Sequence, residues 1–383
     1  MSTVPSFDLS LPPRIAFGPG RADDLPAIVA GLGSRVLVAT GSTPGRVAHL
    51  IDGVRARVAA LDVVAVPGEP TLDDARRASD VGRDLGADVV VAIGGGSVID
   101  LAKSAAMLLG NGGDPLDYIE VIGRGKPVSR APLPLVAVPT TAGTGAEVTA
   151  NAVLSSSEHG VKASLRHPLM IPRHAIVDPD LTLDCPPGVT AASGMDALTQ
   201  CLEPYVSNRA NPVTDAWAGT GLVHAGRGLR RAHAFGTDLA ARTDMALASL
   251  LGGLSLANAK LGAVHGFAAV LGGMSDAPHG AICAALLVPV CRANIAHADA
   301  PLARRYADVG RWLTGDPAAT AADGLAWIEQ TVGLLGIRGL SDYGLSAAQT
   351  DEVVAKAARA SSMAGNPVVL TTGELADAYL AAL

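Results

Sequence analysis

Aromatic side chains are the scarcest feature of this 383-residue chain, at 3% for Phe, Trp and Tyr together. So few rings cannot furnish the stacking platform on which single-stranded nucleic acid is held. Charge is thin as well: Asp, Glu, Lys and Arg make up 17%, with an acidic excess that gives a formal net charge of −7 and a pI near 5.7. That balance argues against nucleic acid or an anionic membrane as the main partner. The four cysteines, Cys185, Cys201, Cys283 and Cys291, show no CxxC spacing. A zinc knuckle or redox pair is therefore not indicated, and buried reduced thiols in a cytoplasmic protein are the expectation. Met1 to Pro13 has neither the basic nor the apolar region of a secretory signal, and runs such as Ala281–Val290 are too short to span a bilayer. GxGxxG and Walker loops are also missing, so the regular nucleotide fingerprints do not apply.

What is present is apolar surface, 49% of residues, in a chain long enough for two domains with a core each. The first half alternates β-branched runs with helical patterns. Strands are expected at Arg14–Gly20, Arg35–Thr40, Asp62–Val66, Asp88–Ile93, Leu133–Val138 and from Ala175 to Val177, with helices near 46–60 and over Thr71–Leu85, where Thr71 is a capping residue. This order indicates a parallel α/β sheet. After Pro186-Pro187-Gly188 the sequence becomes Ala/Leu-rich with helical spacing, which places a domain boundary between 187 and 188. Residues 1–187 read as an α/β domain and 188–383 as an all-helical one. Candidate helices there cover Thr190–Tyr205, Pro212–Arg230, Thr237–Ala259, Gly280–His297, Leu302–Trp312, Ala318–Leu335 and Ala347–Ala360.

Two stretches of the first half suit an anionic ligand. The central strand runs into Gly94-Gly95-Gly96-Ser97 and then a helical pattern. There, backbone N–H groups and a helix N-terminus could receive a phosphate, although three glycines after a strand are equally compatible with a tight turn. The loop Pro139–Thr149, dense in Thr and Gly, follows another strand and offers hydroxyls and amides to the same ligand. Asp100 and Lys103, in the first turns of the helix, read in isolation as an ordinary solvated pair. In the second half Asp196 and Gln200 stand four apart, hence on one helix face, and His265 and His279 lie in Gly-rich segments. If the four converge they form an N/O site for a divalent metal. Taken singly, each histidine reads as a satisfied structural residue.

Along nearly its whole length the chain resembles the iron-containing (group III) alcohol dehydrogenase family. The matching motifs are Gly94–Asp100, Pro139–Thr149, Asp178-Pro179, Gly194–Leu198, Gly262–Gly266 and Pro278–Gly280, in the right order. The resemblance implies a Rossmann-like nucleotide-binding domain, an all-α metal and substrate domain of dehydroquinate synthase-like architecture, and an active site in the cleft between them. It implies NAD(P) bound by Gly41, Ser42, Gly95, Gly96, Ser97, Asp100, Thr140, Thr141, Thr144, Thr149, Lys162 and Leu181. It implies Fe2+ or Zn2+ on Asp196, Gln200, His265 and His279, with Asp196, His265 and His279 as the catalytic set. A homodimer is the family habit.

Two positions depart from that pattern. Gln200 stands where a fourth histidine is usual, and Ala269 where a further histidine often lies near the nicotinamide. Gln is a weaker ligand than imidazole for a transition metal, but three ligands and an open position is also the pattern of catalytic zinc. With Ala269 there, proton release is expected to use water and cofactor ribose hydroxyls. Thr40-Gly41-Ser42 lacks the acidic residue typical of NAD-preferring members and Arg46 is nearby, so NADP(H) is expected to be tolerated. The reaction expected is reversible hydride transfer between a small alcohol and its aldehyde or ketone. Rivals on the same architecture are a metal-independent reductase like the maleylacetate reductases, a dehydroquinate synthase-like lyase, and a nucleotide-binding protein without turnover.

Overall fold

A computed structural model describes residues 6–383, so the first five residues of the Met1–Pro13 stretch lie outside the described residues. The chain divides into two compact units: Ser10–Thr141 with Ala146–Thr182, and Leu183–Leu383 with Ala142–Gly145 and residues 6–9.

The first unit is built on eight strands, β1 (Arg14–Phe17), β2 (Arg35–Gly41), β3 (Ala60–Val66), β4 (Val89–Gly94), β5 (Leu135–Pro139), β6 (Asn151–Ser156), β7 (Val161–Arg166) and β8 (His174–Val177). Six of them form a parallel sheet in the order β1-β8-β5-β4-β2-β3. Every residue of β4 is buried, as its unbroken β-branched run requires of a strand covered on both faces. Side chains alternate between two cores: Val36, Val38, Val91 and Ile93 on one face, Leu37, Ala39, Val90 and Ala92 on the other. From β2 the chain builds outward to β3 on one side, then returns past β2 to add β4, β5 and β8 on the other. The order thus reverses between β2 and β4, and their C-terminal ends, Gly41 and Gly94, flank a topological switch point where α/β sheets bind ligands.

The expected Leu72–Leu85 helix is present, and Thr71 and Asp74 cap it reciprocally. The pattern near 46–60 resolves into a 3-10 turn, Pro44–Val47, and a shorter helix, Ala48–Arg55, before β3 begins at Ala60. The β6–β7 hairpin was not expected. Its alternation is present in the sequence, with Ala152, Leu154 and Ser156 buried and their neighbours half-buried, but three successive serines and the short arms hide it. A second correction concerns Asp100 and Lys103, which are not a solvated pair. Lys103 is 1% exposed and its Nζ donates to Thr149 Oγ1 at 2.9 Å and Asn151 O at 2.8 Å, while half-buried Asp100 accepts from the Val153 N–H at 3.0 Å. Together they tie the Gly96–Asn111 helix to the hairpin.

The second unit is helical throughout its Leu183–Leu383 portion. The candidate helices appear at Pro187–Val206, Pro212–Ala234, Leu239–Ala259, His279–Ala296, Ala300–Thr314, Ala321–Leu334 and Thr350–Ala357. Two more, Ala263–Met274 and Thr372–Leu380, were not expected. Gly266, Gly272 and Gly273 depress helix propensity in the first, and tertiary burial of Val264, Phe267 and Leu271 overrides it. The His279–Ala296 helix is long and apolar enough to cross a membrane, but 61% of it is buried inside the protein.

Burial pushes the Glu147 carboxyl up to about 7, opposed by its own backbone N–H and by Lys103. In the unfolded chain Glu147 ionises first, so its contribution to stability is greatest below the ordinary glutamate range and is lost as pH rises toward 7. The Glu147→Gln variant should therefore gain on the wild type over that interval, by up to ~1.4 kcal/mol per pH unit. Denaturant unfolding of both proteins between pH 4.5 and 7 checks this; a pH-independent difference contradicts it.

Candidate metal centre

One face of the Pro187–Val206 helix carries Asp196, Gln200 and Glu203, spaced so that all three project together. Each is buried: 2%, 4% and 4% exposed, respectively. Carboxylates so placed need partners, because an unpaired buried charge is strongly unfavourable.

Glu203 uses both oxygens on the start of the Ala263–Met274 helix. Its Oε1 accepts from the Val264 N–H at 2.7 Å and its Oε2 meets His265 Nδ1 at 2.6 Å. Gly262, at the N-cap, provides no side-chain cap, so Glu203 and Asn366, which accepts from the Ala263 N–H at 3.1 Å, supply what the helix end lacks. With Nδ1 engaged, His265 turns Nε2 toward Asp196 Oδ1, 3.3 Å away. A carboxylate behind a histidine in this way fixes the ring orientation of metal-binding imidazoles.

His279 begins the His279–Ala296 helix. Gly280 lets that helix ride on the Pro187–Val206 helix: a Cβ there would lie 1.8 Å from Ala192 O. The close approach sets His279 Nε2 3.7 Å from Asp196 Oδ1, and its side chain, 42% exposed, is the open side of the group. One turn along, Cys283 Sγ joins them. The donor atoms of Asp196, His265, His279 and Cys283 all lie within 4.8 Å of one another.

The electrostatics of the group are set by its negative members. Burial favours the neutral form of Asp196, yet the hydrogen bond from His265 and the charges of His279 and His265 hold it below the usual carboxylate range. Burial likewise opposes a proton on His279, but Cys283 and Asp196 raise it to about 9. Despite its burial, His265 is raised well above the ordinary histidine range by Cys283, Glu203 and Asp196. These protons balance negative charge that a divalent ion would otherwise neutralise.

Gln200 points the same way. Its side chain hydrogen-bonds Asp196, and its buried Oε1 has no hydrogen-bonding partner. A buried acceptor so placed requires a donor or a cation. Carboxylate, two imidazoles, a thiol and an orphaned carbonyl oxygen together fit a divalent transition ion.

Of the sequence-predicted residues, Asp196, Gln200, His265 and His279 are thus brought to one place. Cys283 and Glu203 were missed. Each had a signal: Cys283 falls four residues after His279 and Glu203 seven after Asp196, on the same helix faces. Cys283 is buried, as expected of the cysteines, and its Sγ faces Asp196, His265 and His279.

In the first unit, the expected nucleotide loops gather at the C-terminal ends of the central strands. Gly94 of β4 pairs with Pro139 of β5, and the Thr140 N–H donates to Gly94 O at 3.0 Å. Thr140 and Thr141 therefore stand beside Gly95, Gly96 and Ser97. Gly94 admits no side chain, since a Cβ would meet Val98 at 2.5 Å. The Gly96–Asn111 helix has no side-chain cap, which leaves its N-terminus suited to a phosphate. Gly41 and exposed Ser42 close β2, next to β4, and Leu181 packs under the sheet. Lys162 forms an ion pair with Glu69. Asp100 and Thr149, also expected at the cofactor, are engaged with Val153 and Lys103. Thr144 is exposed and lies in Ala142–Gly145, which groups with the helical unit.

Residues 12–179 match the family model described as iron-containing alcohol dehydrogenase, and residues 190–383 its C-terminal counterpart. A 1,3-propanediol dehydrogenase of Citrobacter freundii is 36% identical over 84% of both chains. Alcohol dehydrogenase 4 of Schizosaccharomyces pombe is 36% identical over 88% of this chain and 75% of its own. Among solved structures, an alcohol dehydrogenase from Oenococcus oeni superposes with a TM-score of 0.90 at 31% identity, covering 99% of this chain and 100% of its own. A sulfoacetaldehyde reductase from Bifidobacterium kashiwanohense, solved in complex with NAD+, gives 0.88 at 30% identity over 98% of both.

The geometry makes Glu203 a test of the centre. Glu203→Gln should weaken zinc binding ~10–100-fold, since it loosens His265 without removing a donor. Affinity of the wild type should also fall as pH drops below about 9, where His279 holds a proton that the ion must displace. Competition against a chromophoric chelator at several pH values measures both effects; affinity indifferent to the variant and to pH contradicts them.

Proposed function

Because the chain belongs to the iron-containing alcohol dehydrogenase family, which implies a divalent metal and a nicotinamide cofactor, we propose that it interconverts a small alcohol and its aldehyde or ketone by metal-assisted hydride transfer. The observation that carries this reading is the convergence of Asp196, His265 and His279 on one point, with the unpartnered Gln200 Oε1 beside Asp196.

The chain's own residues divide the work. Gly95, Gly96 and Ser97, at an uncapped helix N-terminus, hold the cofactor's phosphates, with Thr140 and Thr141 alongside. Their backbone is fixed by the sheet, so the cofactor is held without further ordering at the moment of reaction. Asp196 and His265 are fixed by burial and by Glu203, while exposed His279 faces the side from which substrate arrives. Asp196, His265 and His279 would hold the metal, which would supply Lewis acidity toward the alcohol oxygen, and the loops after β4 and β5 would hold the nicotinamide cofactor, which would supply the hydride acceptor or donor. Ala269, exposed one turn beyond His265, carries no titratable group, so the alcohol proton leaves through water and cofactor hydroxyls.

An uncharged, short alcohol suits the site, and 1,3-propanediol, the substrate named for a relative, is the first to test. Gly41 and Ser42 present no carboxylate at the end of β2, so NADP(H) is accepted alongside NAD(H). Fe2+ and Zn2+ both suit the donors. Cysteines that are all buried support a cytoplasmic setting, and a homodimer follows the habit of the family. The metal-independent reductase reading leaves the converged donors without a role.

Protein purified without chelator should oxidise short diols and alcohols with NAD+ and NADP+. Complete removal of metal should cost at least ~100-fold in kcat/KM, the scale of several kcal/mol of charge stabilisation. Readdition of Zn2+ or Fe2+ should restore it. Activity that survives metal removal overturns the mechanism, and a strict requirement for NADH in aldehyde reduction overturns the cofactor assignment.

A further inference from the structure

We propose that Cys283 is a ligand of the same ion, so that Asp196, His265, His279 and Cys283 form a four-donor set with one thiolate, and that this set favours Zn2+ over Fe2+. The proposal rests on the metal centre described above and adds a donor to it.

The distances carry it. With nitrogen and oxygen at about 2.0–2.2 Å and one sulfur at about 2.3 Å from zinc, tetrahedral ligands lie about 3.3–3.5 Å apart, or about 3.5–3.7 Å where the pair includes the sulfur. In this protein His265 Nε2 and Asp196 Oδ1 are 3.3 Å apart, and His279 Nε2 and Asp196 Oδ1 3.7 Å. Cys283 Sγ lies 3.9 Å from Asp196 Oδ1, 3.9 Å from His265 Nε2 and 3.7 Å from His279 Nε2. The shortest of these five edges matches the zinc value and the other four exceed theirs by about 0.1–0.4 Å, so a small contraction of the side chains would close the set on one ion.

Backbone placement makes this no accident of rotamer. His279 and Cys283 are one turn apart on the same helix, so both face the Asp196 helix. Cys283 is fully buried, and the polar atoms about its sulfur are all donors of the cluster. Other buried thiols are used differently. Cys201 Sγ donates to Ala248 O, and Cys291 lies against Tyr306; among the described residues, neither joins the group of converged donors.

Chemistry then sets the preference. Gln200 offers only a neutral carbonyl oxygen, whereas a thiolate is a strong soft donor that selects zinc over harder ions. On binding, the Cys283 S–H bond breaks, the sulfur lone pair goes to Zn2+ and the proton goes to solvent. The ion's two charges are balanced by Asp196 and Cys283, which leaves Glu203 to His265. Catalytic zinc can expand to five ligands, so the thiolate leaves room for substrate.

Cobalt-loaded full-length protein tests this by spectroscopy. The wild type should show visible d–d absorption together with a near-ultraviolet thiolate-to-cobalt charge-transfer band. Cys283→Ser should lose the charge-transfer band, keep the d–d absorption, and bind zinc at least ~10-fold more weakly. Cys201→Ser and Cys291→Ser should keep both bands. Cys283→Ala serves as a second variant should the serine protein not fold. Cobalt d–d absorption without a thiolate band in the wild type, or a band that persists in Cys283→Ser, overturns the proposal while leaving the three-ligand centre standing. Failure of the wild type to bind cobalt or zinc at all overturns the centre itself, and the thiolate with it.

Discussion

Glu203 is the interaction on which the centre depends. Its carboxylate is almost wholly buried, and each oxygen is committed to a group at the start of the Ala263–Met274 helix. An acceptor in a dry interior cannot drift, because any lost hydrogen bond leaves it unsatisfied. His265 is therefore held in one orientation, with the ring nitrogen that matters turned toward Asp196. Since Glu203 and Asp196 share a helix, ligand and orienting group move together. The glycine contact at Gly280 extends the same rigidity to the helix that carries His279 and Cys283.

The two units rely on different physics. In the α/β unit, the charge of a ligand would be met by backbone and hydroxyls: glycines after β4, an uncapped helix, threonines at the end of β5. No ionised side chain is needed for a phosphate to settle there. In the helical unit the means are reversed. Helices bury their backbone groups in their own hydrogen bonds, so recognition would fall to side chains, those of Asp196, His265, His279 and Cys283.

Much of this was legible in the sequence, for identifiable reasons. The parallel sheet announced itself through runs such as Val89–Ile93, whose burial on both faces leaves no polar alternation to misread. Asp196 and Gln200 were readable as a pair because helix periodicity turns spacing into proximity. The β6–β7 hairpin escaped because serines dilute its apolar positions, and the Ala263–Met274 helix because its glycines mimic a loop. Glu203 and Cys283 escaped for a subtler reason. A glutamate or cysteine in a helix has many bland uses, and only the third dimension shows that these two face the same point. Lys103 is the converse case, a residue that looks solvated by type and is buried by its two hydrogen bonds.

The donors of the centre come from three separate helices, and the sequence distances between them are long: 69 residues separate Asp196 from His265 and 87 separate it from Cys283. An ion on these groups is a removable cross-link. It closes loops of those lengths, and it binds the folded chain far better than the unfolded one. With the centre occupied, part of the cohesion of the helical unit would be handed to solution conditions, and the unfolding temperature would become a reading of free metal concentration. Cells starved of the ion would lose not only the reaction but some of the protein, as the loosened helices become substrates for proteolysis.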